Sequence, residues 1–202
     1  EHNARSLFKL TINKIRHSNE IRTICLFTFL VGVYGNIIWR LFQPGFSELN
    51  IDIKYIGYFY SLFSIAGVIG SLKLGKIIAK KQLFVVILLI FVVLLCTYLA
   101  AYQFFNIYTL SASVIAASLF FPVCESSIIS YLQHKFERYQ QATIMSIVSF
   151  LFWFGLTIGD VIAGISNNFL SITNTFLMLV IFGAVLIAFV APLTLKNIKI
   201  ED

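Results

Sequence analysis

Charge is scarce in this sequence. Only 12% of its 202 residues are Asp, Glu, Lys or Arg, about half the share usual in a soluble domain. Hydrophobic residues make up 59%, so too little polar surface exists to cover a core facing water. Lipid must be the solvent for most of the surface, and no room is left for a second, soluble domain. Cysteine is also sparse. Cys25, Cys96 and Cys124 all lie in apolar runs, none in a CxxC pair and none beside a histidine at metal-ligand spacing. They read as small hydrophobes, and neither a metal nor a cofactor is expected. No GxxxxGK[ST] loop occurs, which excludes a phosphate cradle of that kind. No cluster of histidine with carboxylates occurs in the loops either, so an enzyme is not expected. The net charge of +6 is no nucleic-acid footprint, because the basic residues occupy short gaps between apolar runs rather than a stripe with stacking aromatics.

Six apolar runs have the roughly 20 residues needed to cross the hydrocarbon layer. They fall near Ile24–Phe42, Ile53–Leu74, Leu83–Tyr102, Tyr108–Leu132, Ala142–Ile165 and Thr175–Leu193. Connecting turns are expected at Gln43-Pro44-Gly45 and Ser166-Asn167-Asn168, where Pro, Gly or Asn interrupts the runs. Positive charge sorts by side. Arg5, Lys9, Lys14, Arg16 and Arg22 precede the first run, and Lys73, Lys76, Lys80 and Lys81 lie at the junction of the second and third. Lys135 and Arg138 follow the fourth, Lys196 and Lys199 the sixth, and only Arg40 and Lys54 fall opposite. The basic side belongs in the cytoplasm, so both ends are expected there, in a cytoplasmic membrane. The domain reading is a linker over 1–22, a six-helix bundle over 23–195 and a tail over 196–202. Within the linker, Ala4–Ser18 has the pattern of an interfacial amphipathic helix with snorkelling bases, or else of a disordered leader. The chain starts at Glu1 without a methionine and reads as a fragment of a longer protein.

The six runs repeat a pattern with period three. The first and fourth carry polar faces: Asn36, Trp39, Arg40 and Gln43 on one, Ser118, Pro122, Glu125, Ser126 and Gln133 on the other. Such faces look at a cavity or a partner. The second carries Gly67 and Gly70, the fifth Gly155 and Gly159, and small residues of this kind let helices pack closely. The third and sixth are apolar all round, as suits lipid-facing helices. The two triplets start on opposite sides. The fold class is therefore an all-α integral membrane protein with six transmembrane helices in a 3+3 inverted repeat, a transporter construction.

Particular residues then stand out. Glu125 is a carboxyl within a span, three residues after a helix-kinking proline. It is a candidate to take up and release a proton or meet a cationic substrate group; the alternative is a structural carboxyl bonded to nearby serines. Arg40 and Asp160 sit at matching depths near the outer face and form a candidate gate pair, unless Arg40 pairs with Glu48 or Asp52 or snorkels. Asn36, Trp39 and Gln43, with Ser118, Pro122 and Ser126, are candidate substrate or cavity residues, although Trp39 serves equally well as an interface anchor. Trp153 reads as packing and His134 as a solvated loop residue.

Three stretches carry a family resemblance: Trp39-Arg40-Leu41-Phe42-Gln43-Pro44 followed by Ile56-Gly57-Tyr58, the basic Gly75-Lys76-Ile77-Ile78-Ala79-Lys80-Lys81, and Gln141-Ala142-Thr143-Ile144-Met145-Ser146. With the helix pattern, they make the chain resemble the C-terminal half of a bacterial major facilitator superfamily transporter. Ala79 stands where that family's basic loop has an acid, which weakens any charge-latch role for Lys76, Lys80 and Lys81. The resemblance implies that the first and fourth spans line a central cavity. The second and fifth would meet a missing N-terminal six-helix half, and the third and sixth would face lipid. It implies alternating-access transport of a small molecule, with ion- or proton-coupled efflux of a hydrophobic or drug-like compound ahead of nutrient or metabolite uptake. A channel is a third possibility, with one Glu125 contributed by each subunit.

Overall fold

The computed structural model describes residues 4–74 and 83–198. Among these residues seven α-helices follow in order: α1 (Ala4–His17), α2 (Asn19–Glu48), α3 (Ile56–Ile69), α4 (Leu83–Gln103), α5 (Ile107–Lys135), α6 (Arg138–Phe169) and α7 (Ile172–Ile198). A 3₁₀ turn, Ile53–Tyr55, leads into α3, and a π-helical turn, Gly70–Leu74, follows it. The basic loop with Lys76, Lys80 and Lys81 and the end of the tail lie outside the described residues. The leading segment forms helix α1, and Ser18 then caps α2 by accepting the Ile21 N–H at 3.3 Å.

Among the described residues, four helices are long and apolar enough to cross a membrane: α2, Val85–Gln103 of α4, α5 and α6. The apolar helices Ile56–Leu72 and Ile172–Ala188 are shorter. Two of the expected turns are absent. Helix α2 continues through Pro44 to Glu48, and the chain turns at Asn50, the one described non-glycine residue with positive φ (54°). Pro44 removes a single hydrogen bond near the helix end. That loss is offset by burial of Phe42, Gly45 and Phe46 on either side of it. Similarly, α6 runs past Ser166-Asn167-Asn168 to Phe169, and Ser166 is buried with its hydroxyl 3.7 Å from the Met178 sulfur. The Gln141–Ser146 stretch is already inside α6. Packing against neighbours decides these helix ends, and local turn propensity does not.

Helix α2 is the centre of the bundle. It touches α3, α4, α5, α6 and α7, with its most extensive contact to α6; α4 against α7 is the next largest interface. Tyr34 is fully buried among Phe91 and Tyr98 of α4, Phe121 of α5 and Phe182 of α7. Gly32 lies against the Phe152 carbonyl, and Gly155 against that of Phe29. A Cβ on Gly159 would stand 2.7 Å from the Val33 carbonyl oxygen. Gly155 and Gly159 of α6 therefore pack on α2 of the same chain.

Gly67 of α3 and Gly70 in the turn after it face a different helix, α5. Pro122 has no N–H for the Ser118 carbonyl, and its ring pushes that carbonyl outward. The Ser118 carbonyl faces Gly67, where a Cβ would be 3.4 Å away, and the Leu119 carbonyl lies against Gly70. Gly67 near the end of α3 and Gly70 in the π-helical turn thus lie against α5 backbone in the turn before Pro122, most tightly at Gly70.

Candidate functional site

Most of α2 is buried, and what stays open is a stripe bearing the half-buried Asn36 and Trp39 and the exposed Arg40 and Gln43. The comparable stripe on α5 bears half-buried Pro122 and Glu125 and exposed Ser126. Both stripes are bordered by α3 and α6. Trp39 stacks on Tyr60 of α3, with ring centroids 6.1 Å apart and planes at 11°, and meets Phe63 edge-on. On α2's other flank, Asn36 Nδ2 donates to the Leu156 carbonyl of α6 at 2.6 Å. One turn further, the Arg40 guanidinium donates to the Asp160 carboxylate. Asn36 and Arg40 are four residues apart, as are Leu156 and Asp160, so the two bonds form successive rungs above the glycine contact.

Of the alternative partners for Arg40, Asp52 is taken by Lys54 at 2.8 Å. The hydrogen bond from Lys54 holds the Asp52 carboxyl below the usual range. Arg40 and Asp160 remain substantially exposed, at 61% and 40% of their side chains, which leaves the pair accessible to anything entering the face.

On α5 the candidates separate. Ser118 is 3% exposed and donates to its own helix at Val114 O, 2.7 Å. Its carbonyl lies near Gly67 of α3 and its side chain is buried, so it does not reach the open face. Ser126 donates to Val123 O at 3.1 Å and is not bonded to Glu125. Among the described residues, Glu125 has neither an ion-pair nor a hydrogen-bond partner. It stands about 15 Å from the Lys135 end of α5 at 1.5 Å per residue. Trp153, read as a packing residue, is 65% exposed on the outer side of α6 and, among the described residues, meets the neighbouring Phe152 edge-on. A residue at that register points away from α2, because Gly155 and Gly159 take the inward face. His134 is exposed, as expected, but in the last turn of α5.

A second cluster had no counterpart in the sequence reading. At the opposite end from Arg40, the Tyr131 hydroxyl donates to Glu20 at the start of α2. Lys135 Nζ lies 3.5 Å from the same carboxylate oxygen and 5.2 Å from the Tyr131 ring. Lys14 of α1 donates to the Lys135 carbonyl at 2.7 Å and covers the Phe136 ring at 4.6 Å. A cation at the last carbonyls of α5 is favoured by the helix dipole. The signal was present: Glu20 is the sole acid between Glu1 and Glu48, in a basic stretch.

The described residues therefore hold an α2–α6 bond pair toward one end of α2, an α2–α5 clasp at its other end, and on α5 the half-buried Glu125 without a bond partner. The family model of the Major Facilitator Superfamily matches residues 24–199. The chain belongs to the Major Facilitator Superfamily. It is a multi-pass membrane protein of a transporter family, not an enzyme, and its partners are a small-molecule substrate and the bilayer. Neither the curated proteins nor the solved structures compared with it offer a match.

Proposed function

We propose that this Major Facilitator Superfamily chain is the C-terminal six-helix half of a secondary transporter. In this reading it moves a hydrophobic or drug-like molecule out across the cytoplasmic membrane by alternating access, coupled to protons through Glu125. The observation that carries the coupling is the isolation of Glu125: a half-buried carboxyl with no partner among the described residues. A carboxyl so placed in a membrane helix is costly unless it serves a cavity. Apart from the Arg40–Asp160 pair, whose charges meet each other, the other named stripe residues around this path carry aromatic, amide and hydroxyl groups, which favours a lipophilic, cationic or neutral cargo.

The six-helix inverted repeat draws support from the packing. Exchanging α2 with α5, α3 with α6 and α4 with α7 turns the α2–α6 contact into α5–α3 and the α4–α5 contact into α7–α2. All four contacts exist, and α4–α7 and α2–α5 map onto themselves. In this reading the two stripes line the path, and Arg40 with Asp160 closes its outer end. The exposed apolar faces of α3 (Tyr58, Leu62, Ile65, Val68) and α6 (Phe150, Trp153, Phe154, Val161) meet the N-terminal half.

The test uses the full-length protein in everted membrane vesicles, with ethidium and tetraphenylphosphonium as probe substrates and a pH-sensitive dye. The intact protein releases protons from the vesicle lumen when substrate is added. Glu125→Gln is expected to lose at least about tenfold of proton-driven transport, as removal of an acid–base group does elsewhere, and to lose its pH dependence. Unchanged activity and unchanged pH dependence in Glu125→Gln would sink the assignment.

A further inference from the structure

The basic residues of α1 fall into two sets. Lys14 is committed inward, to the Lys135 carbonyl and the Phe136 ring. Thr11 is fully buried, with its hydroxyl on Leu7 O at 2.9 Å, and Ile15 packs on the core. These residues fix one side of α1 to the bundle, where it also contacts α6. The opposite side is open. Lys9, Asn13 and Arg16 are exposed and lie four and three residues apart, along one line of the helix. Phe8 is 53% and Leu10 43% exposed, flanking that line at its start. Neither Lys9 nor Arg16 has an ion-pair partner among the described residues. No acid occurs anywhere in Ala4–His17.

We propose that this outer side of α1 is a docking surface for anionic phospholipid headgroups of the leaflet into which α2 inserts. Three features select that occupant. Ser18 alone separates α1 from α2, and α2 is long and apolar enough to span, so α1 sits at the level where a span leaves the bilayer. Its open side pairs apolar rings and chains with basic heads, the combination that enters the boundary between acyl chains and headgroups. Basic residues without acids complement an anionic surface, and each contributes about 1 kcal/mol near such a surface, a factor of about five. An acidic protein surface would match the charge but would leave Phe8 and Leu10 facing polar groups.

The test places an NBD fluorophore at Asn13→Cys in full-length protein carrying Cys96→Ser, since Cys25 and Cys124 are buried and Cys96 exposed. The protein is reconstituted in phosphatidylcholine vesicles with or without about one third phosphatidylglycerol, each containing a nitroxide lipid that quenches near the headgroups. Strong quenching is expected in the anionic vesicles and weak quenching in the neutral ones, with high salt abolishing the difference. Lys9→Gln with Arg16→Gln should weaken the quenched state about 25-fold and bring the anionic vesicles to the neutral level. Equal quenching in both compositions, at low and high salt, overturns the proposal without any substitution. A label shielded from both the nitroxide lipid and aqueous iodide also overturns it, because protein would then cover the face.

Discussion

At the scale of single residues, the polar groups of this bundle divide into those with partners and those without. Arg40 and Asp160 have each other. In water an exposed pair of this kind contributes about 0.2–1 kcal/mol, so its effect should be read on gating rather than on folding. Arg40→Asp and Asp160→Arg are each expected to disturb transport. The double exchange should recover most of the loss, with a coupling of about 0.5 kcal/mol or more in a double-mutant cycle of transport rates. Strictly additive losses would remove the pair from the gate. Tyr34 makes the opposite prediction. Its hydroxyl is buried and, like that of Tyr98, has no hydrogen-bond partner among the described residues. A buried hydroxyl without a partner carries a desolvation cost. Tyr34→Phe should therefore leave thermal stability in detergent unchanged or raise it by up to about 1 kcal/mol, while keeping the ring contacts to Phe91 and Phe182. A loss larger than about 1 kcal/mol would mean that the hydroxyl is satisfied after all.

At the scale of helices, the turn after α3 and the backbone of α5 before Pro122 approach closely at Gly70. The Leu119 carbonyl lies where a Cβ on Gly70 would stand, and backbone cannot move aside as a flexible side chain can. Gly70→Ala is thus expected to destabilise by about 1–3 kcal/mol, the range for overpacking, as read by thermal unfolding in detergent. Gly57 has nothing within 4 Å of an added Cβ, so Gly57→Ala should cost nothing and serves as the control. A neutral Gly70→Ala would show that α3 does not depend on this approach. Much of this level is legible in the sequence. Apolar runs separated by charge mark the helices, and the glycine positions mark close packing, because composition alone decides what lipid accepts. Helix ends are less legible, since Pro44 and Ser166-Asn167-Asn168 look like turns until their neighbours are known. The Glu20–Tyr131–Lys135 clasp joins residues 111 or more positions apart, and no local pattern announces such a contact. The fate of Ser118 is illegible for the same reason: its side of α5 depends on where α3 lies.

At the scale of the whole molecule, the distribution of Lys and Arg makes a claim that packing cannot. The turn at Leu49–Asp52 and the junction at Phe136–Glu137 lie at opposite ends of the bundle. The first joins the outer end of α2, near Arg40, to α3; the second joins the clasp end of α5 to α6. Cytoplasmic placement of the basic side puts Glu137 inside and Asn50 outside. Single cysteines test this in the Cys96→Ser background. Asn50→Cys in intact cells should react with a membrane-impermeant maleimide, whereas Glu137→Cys should react only after the membrane is permeabilised. Asn50 has a positive φ of 54°, which cysteine tolerates less well than asparagine, so Glu48→Cys at the exposed end of α2 provides a second outer position. Reaction of Glu137→Cys in intact cells, with both outer positions protected, would reverse the orientation. Such a reversal would also move Glu20, Lys14 and the open face of α1 to the outer leaflet. The α1 surface would then meet a different lipid composition, and Arg40–Asp160 would guard the inner end of the path instead of the outer one.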